Sequence, residues 1–142
     1  MKTFNLTFDG SLLDDDRKNL PTYSGIYLVY RGRLTSDRNA LICTEIIYIG
    51  QAEDIRKRHI AHEYRQRFIE TLRAGEVLFY SYAKADIADL DRIENALIYH
   101  VKPNLNDRGK DRFLYPSTEI KSAGQCALLD KEFIIDEVES TT

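Results

Sequence analysis

The chain reads as an α+β protein built on a small three-stranded antiparallel central sheet flanked by helices, with extra N- and C-terminal elements. Three observations predict this. Gly25 to Arg31 and Ile42 to Gly50 are dense in β-branched and aromatic residues, and Glu76 to Ala83 places aromatics at alternate positions. Two further stretches, Asp54 to about Arg73 and Asp86 to Pro103, repeat apolar residues at helical spacing.

The bulk properties bound the problem. A length of 142 residues, 43% of them apolar and 30% charged, fits one soluble globular domain able to bury a core without disulfides or structural metal. There is no apolar run long enough to cross a bilayer and no contiguous apolar stretch at the N-terminus, so a cytoplasmic protein without membrane contact is expected. Cys43 and Cys126 lie far apart with no partner at zinc spacing and read as buried free thiols. The net charge of −3 argues against gripping nucleic acid by bulk charge alone. That acidity is concentrated late: residues 116–142 hold six acidic residues and two lysines.

Taken in order, Phe4, Leu6 and Phe8 alternate with polar residues and stop at Asp9-Gly10, predicting a short strand. Residues 11–22 predict a polar connection or a short helical turn, with Asp14, Asp15 and Asp16 forming a solvated face. The two strands at 25–31 and 42–50 are joined by a polar-leaning loop in which Arg31, Arg33 and Arg38 supply local positive charge. Across 54–73, Ile60, Tyr64, Phe68 and Leu72 form one apolar stripe, while Arg58, His62 and Arg65 follow one another at spacings of four and three along another face. Residues 55–73 hold six basic and two acidic residues, so Arg56, Lys57 and Arg65 are candidate nucleic-acid contacts. Gly75 ends this helix. The third strand leads to a second helix with Asp86 as N-cap and an apolar stripe through Ile87, Leu90, Leu97 and Val101. Ala127 to Leu129 and Phe133 to Ile135 are short apolar bursts that predict an accessory element packed on the core.

Some residues break these patterns. Glu94 occupies the missing place of the stripe 87, 90, 94, 97, 101, where a buried-edge carboxylate needs a metal or an arginine. Tyr27 and Tyr48 interrupt aliphatic strands, each two positions from a glycine, Gly25 and Gly50, whose missing side chains admit close approach of a ligand or another backbone.

With these residues in hand, the sequence resembles the GIY-YIG nuclease superfamily. Gly25-Ile26-Tyr27 and Tyr48-Ile49-Gly50 match the two halves of its signature. Arg58 stands eight residues after Gly50, where the family carries its arginine; His62 follows one turn on, and Glu94 falls where the family places its metal-ligating glutamate. Asn106, within Lys102-Pro103-Asn104-Leu105-Asn106, matches a site-shaping asparagine. The resemblance covers about residues 20–107 as a nuclease core, within a single domain spanning 1–142, and leaves 108–142 as a C-terminal accessory segment with an acidic tail. Twenty residues separate Tyr27 from Tyr48, more than in compact members, which bears on the hairpin between them.

The resemblance implies a metal-dependent DNA endonuclease using Mg²⁺ or Mn²⁺. Glu94 would ligate the metal, Arg58 would neutralise charge on the phosphate, Tyr27 would act as general base, and Tyr48 would position water or phosphate. A free phenol titrates near ~10, so Tyr27 needs a cause for a lowered pKa, and His62 could instead relay or accept the proton. DNA is the expected partner, with a homodimer or a second protein supplying specificity. The alternative is a catalytically weak or inactive module of the same fold that binds nucleic acid with a partner, favoured by the modest charge and the absence of a separate DNA-reading motif.

Overall fold

The computed structural model describes residues 1–138; the last positions of the acidic tail, 139–142, lie outside the described residues. Strands β1 (Lys2–Leu13), β2 (Gly25–Leu34), β3 (Leu41–Ala52), β4 (Val77–Lys84), β5 (Thr118–Gly124) and β6 (Glu132–Ile135) form one sheet in the order β3-β2-β4-β1-β5-β6. Helices α1 (Ile55–Ile60), α2 (Arg65–Glu70) and α3 (Leu90–Val101) accompany it.

The expectation of a small three-stranded sheet flanked by helices is therefore corrected. The fold is a six-stranded mixed sheet forming a half-barrel with few helices. The three strands read from the sequence make only its first half. β1 is much longer than Phe4 to Phe8: it passes through a register shift between Asp9 and Leu12, pairs antiparallel with β4 and runs parallel to β5 over Lys2 to Phe8. What read as an accessory C-terminal segment supplies β5 and β6, so it is part of the sheet.

β2 is buried on both faces, which explains the unbroken apolar run from Ile26 to Tyr30. Ile26, Leu28 and Tyr30 face a core shared with α3, β1 and β5. Tyr27 and Val29 face the opposite side, against Leu20, Ile55, Phe68 and Tyr80. The loop between β2 and β3 is short: the hairpin stays paired to Leu34 and Leu41 by absorbing two register shifts. Arg31 is not a loop cation, since it is buried between Glu45 at 2.9 Å and Glu76 at 2.7 Å.

The predicted single helix over 54–73 is two short helices. Asp54 caps α1 by accepting the Lys57 amide at 2.9 Å, but the chain leaves the helix after Ile60. With the break, Ile60 turns to solvent while Ile55, His59, His62 and Phe68 turn inward. The phase of α3 also differs from expectation: it buries Leu90, Ile93, Ala96 and Leu97, and Ile87 lies exposed in a preceding 3-10 turn. Cys126 is buried as expected, but Cys43 is half-buried. No helix among the described residues is long and apolar enough to cross a membrane.

Candidate functional site

β3 is an edge strand, and the site forms where its C-terminal end meets α1 on one side and α3 on the other. Tyr27 on β2 pairs across the ladder with Gly50 on β3. A Cβ at Gly50 would lie closer than 3.0 Å to Cζ and Oη of Tyr27, so glycine at 50 is what allows the phenol to lie flat across β3. Gly25 serves a different approach: a Cβ there would overlap the Ala83 carbonyl of β4.

The Tyr27 hydroxyl lies 2.8 Å from Nε2 of His62. The other ring nitrogen, Nδ1, accepts the backbone amide of Tyr64 at 3.0 Å. A neutral imidazole accepting at Nδ1 carries its proton on Nε2, so His62 donates to the Tyr27 oxygen. Burial, with Arg58 nearby, holds the His62 pKa down at about 4, so the neutral form prevails near pH 7. His59 packs edge-on against Tyr27, with ring centroids 4.3 Å apart, and lies against Tyr80 on its other side. Its pKa is pushed down to about 3 by burial first, then by His62 and Arg58.

Burial raises the Tyr27 pKa well above that of a free phenol; neighbouring Tyr48 adds to the rise and the positive charge of Arg58 opposes it. Tyr48 is raised by burial and by Glu94, and Arg58 again opposes. These couplings place Tyr27, Tyr48, Arg58 and Glu94 in one electrostatic neighbourhood. The Arg58 guanidinium stands beside the Tyr27 hydroxyl, each favouring the charged form of the other, and makes a loose ion pair 3.6 Å from the exposed Glu63. A pair this exposed contributes little, leaving the guanidinium available to an incoming anion.

Glu94 is half-buried at the edge of α3, and burial raises its pKa, with a hydrogen bond from Gln51 opposing. Gln51 bridges two carboxylates, donating from Nε2 to Asp91 at 2.6 Å and to Glu94 at 3.3 Å. Among the described residues no group of three or more His, Cys, Asp or Glu side chains converges as a cage. Two carboxylates converging on one small donor suit Mg²⁺, which commonly takes one or two carboxylates and completes its shell with water and phosphate.

Asn106 braces the edge. Its amide donates to the Ile49 carbonyl and accepts the Ile49 amide, both at 2.9 Å, so one side chain pairs with β3 as a neighbouring strand would. Of the three residues expected to face nucleic acid, two have structural partners. Arg65 pairs with Asp14 at 2.6 Å, and Arg56 donates from Nε to the Leu20 carbonyl at 2.6 Å. Lys57 has an exposed position. Asp14 is correspondingly not a solvated residue: burial would raise its pKa, but hydrogen bonds from Arg65 and Tyr80 outweigh that and hold it low.

Sequence reasoning read His59 as a structural histidine and missed Gln51, Asp91 and Asn95, the last a buried amide bonded to Gly109, Arg112 and Leu114. Asp91 carried a signal, standing three residues before Glu94 on the same helical face. His59 follows Ile55 by one turn, a spacing that becomes visible only once the helix is known to end at Ile60. Comparison with protein-family models, with curated proteins and with solved structures finds no match to this chain.

Proposed function

We propose that this chain is a metal-dependent DNA endonuclease that hydrolyses phosphodiester bonds at the cleft of Tyr27, Tyr48, Arg58, His62 and Glu94, acting in the cytoplasm. The observation that carries the reading is the hydrogen-bonded Tyr27–His62 pair set beside Arg58 and Glu94. The resemblance of these residues to the GIY-YIG signature supports it.

Hydrolysis needs a positioned water, a base for its proton, and positive charge on the phosphoryl oxygens. Arg58 offers a planar fork of donors to the phosphate, which a lysine would not reproduce. Asp91 and Glu94 would hold Mg²⁺ or Mn²⁺, displacing the Gln51 amide, and a metal bound there supplies Lewis-acid stabilisation of the departing 3′ oxygen. His62, donating to the Tyr27 oxygen, favours the phenolate form of Tyr27 and so argues for His62 as a stabiliser of the base and against its taking the Tyr27 proton. In the free protein burial works against ionisation, so a drop in the Tyr27 pKa would have to come with positive charge entering the cleft, as the metal ion would bring. Tyr48, on the rim of the groove that also contains Glu94, would orient the water.

A plasmid nicking assay in Mg²⁺ with wild type, Glu94→Ala and Arg58→Ala tests the assignment. Loss of nicking in both variants is expected; robust cleavage surviving both would remove these residues from the chemistry. The second reading, a binding module of weak or no activity, is favoured by the commitment of Arg56 and Arg65 to structural partners. Salt-dependent DNA binding without turnover across several metals would establish it.

A further inference from the structure

With Arg56 and Arg65 engaged in the fold, the cations for a polyanionic substrate must come from elsewhere. The groove beside Glu94, of about 840 Å³, has its own. One wall is α3; the other is the segment 106–115, which carries Arg108 and Arg112. Both guanidiniums are exposed and make no side-chain hydrogen bond or ion pair among the described residues. The acids of the same groove are Glu63 and Asp107, each in a loose, exposed pair with Arg58 at 3.6 Å and Arg67 at 3.4 Å, Asp111 between the two arginines, and Asp91 and Glu94, whose charge the proposed metal would offset.

The segment is held firmly in place. Asn95 is buried on α3 directly after Glu94. Its Nδ2 donates to the carbonyls of Gly109 at 3.3 Å and Arg112 at 2.8 Å, and its Oδ1 accepts the Leu114 amide at 3.0 Å. Gly109 takes φ +83°, a conformation open to glycine without steric cost, and lets the turn close against Ile98 and Asn95. One buried amide thus ties the backbone bearing both arginines to the helix bearing Glu94.

We infer that the segment Asp107 to Leu114, clasped to α3 by Asn95, is a subsite for the DNA backbone, in which Arg108 and Arg112 receive phosphates flanking the bond presented at Glu94. This rests on the nuclease reading for the identity of the polyanion. Asn95 is a positioning residue: it touches no phosphate and acts by fixing where the two guanidiniums stand. A flexible loop would lose part of their attraction to the entropy of ordering them; a clasped one does not.

The test is fluorescence anisotropy of a labelled short DNA duplex titrated with the full chain, in EDTA, over a series of salt concentrations. Each phosphate contact contributes about −0.9 to the slope of log affinity against log salt, so Arg108→Ala/Arg112→Ala should flatten the slope by about 1.8. Lys121→Ala/Lys131→Ala, which removes the same charge at β5 and the turn before β6, should leave the slope within about 0.5 of wild type. Asn95→Ala, checked for an intact circular dichroism spectrum, should move the slope toward that of the arginine pair with no charge removed. An unchanged slope in the arginine pair, an equal change in the lysine pair, or no DNA binding by wild type overturns the subsite. Cleavage in Mg²⁺ with an unchanged slope would sink the subsite and spare the nuclease; the expected slope change without cleavage in any metal would do the reverse.

Discussion

Replacing Gly50 by alanine should damage the site directly, by driving a methyl group into the Tyr27 ring. The added Cβ would lie closer than 3.0 Å to Cζ and Oη of Tyr27. That ring cannot simply withdraw: it is 1% exposed, with His59 packed edge-on at 4.3 Å and His62 bonded to its hydroxyl at 2.8 Å. Relief requires the phenol to shift by about an ångström, which breaks the His62 bond. Overpacking costs about 1–3 kcal/mol and a lost buried hydrogen bond about 1 kcal/mol more. The sum, about 2–4 kcal/mol, lowers the melting temperature by on the order of 10 °C in a chain of this size. A displacement of that size in a reacting group costs roughly 10²-fold in rate. Differential scanning calorimetry and a nicking assay read the two effects. A double-mutant cycle isolates their cause: with Tyr27→Leu as the second change, the coupling should be at least about 1 kcal/mol, because the smaller side chain makes room for the methyl. An additive cycle, or a Gly50→Ala protein that melts and nicks like wild type, would refute the packing argument.

Other outcomes follow from the same geometry. Asn106→Leu leaves the amide and carbonyl of Ile49 without the partners they have at 2.9 Å and should cost about 2–4 kcal/mol in urea unfolding; a change under about 0.5 kcal/mol would contradict the brace. The folded pKa values of His62, about 4, and His59, about 3, lie below the unfolded value of 6.5, so the unfolded chain binds protons more readily as pH falls. Stability is complete above 6.5 and declines below it, by about 2 kcal/mol per histidine at pH 5. Urea midpoints should therefore drop between pH 7 and 5, with about half the drop removed by His62→Gln; equal midpoints at both pH values would count against two buried neutral histidines. Arg65→Ala should destabilise the fold by about 1–2 kcal/mol through Asp14 yet change DNA affinity less than about twofold. A tenfold affinity loss at unchanged stability would return Arg65 to the DNA face.

The strands that carry the site were legible because β2 and β3 are locally dense in β-branched and aromatic residues. The size of the sheet was not. β5 turns Thr118 and Ser122 inward, so its sequence, Thr-Glu-Ile-Lys-Ser-Ala-Gly, lacks the apolar alternation that marks a strand. Its parallel partner β1 lies more than a hundred residues earlier, a pairing no local window contains. The helix break was hidden for a related reason. Ala61 to Tyr64 contains neither glycine nor proline; the Tyr64 amide goes instead to the His62 ring two residues back, and what holds that ring in place is tertiary, its bond to Tyr27. The interruption of the helix and the creation of the Tyr27–His62 pair are therefore the same event. Arg58 and Glu94 stand out as candidates from pattern, whereas Gln51, Asp91 and Asn95 act through contacts between elements and had to be seen in three dimensions.

The most direct measurement is single-turnover cleavage of an end-labelled DNA duplex by the purified full chain in Mg²⁺, read for rate and for the chemistry of the new ends. The expected products carry 3′-hydroxyl and 5′-phosphate ends, with the rate falling by about 10² or more in Arg58→Lys and in Glu94→Gln. Cleavage at wild-type rate in both variants, or no cleavage in either Mg²⁺ or Mn²⁺, would contradict the claim that these residues form a phosphodiester-cleaving centre.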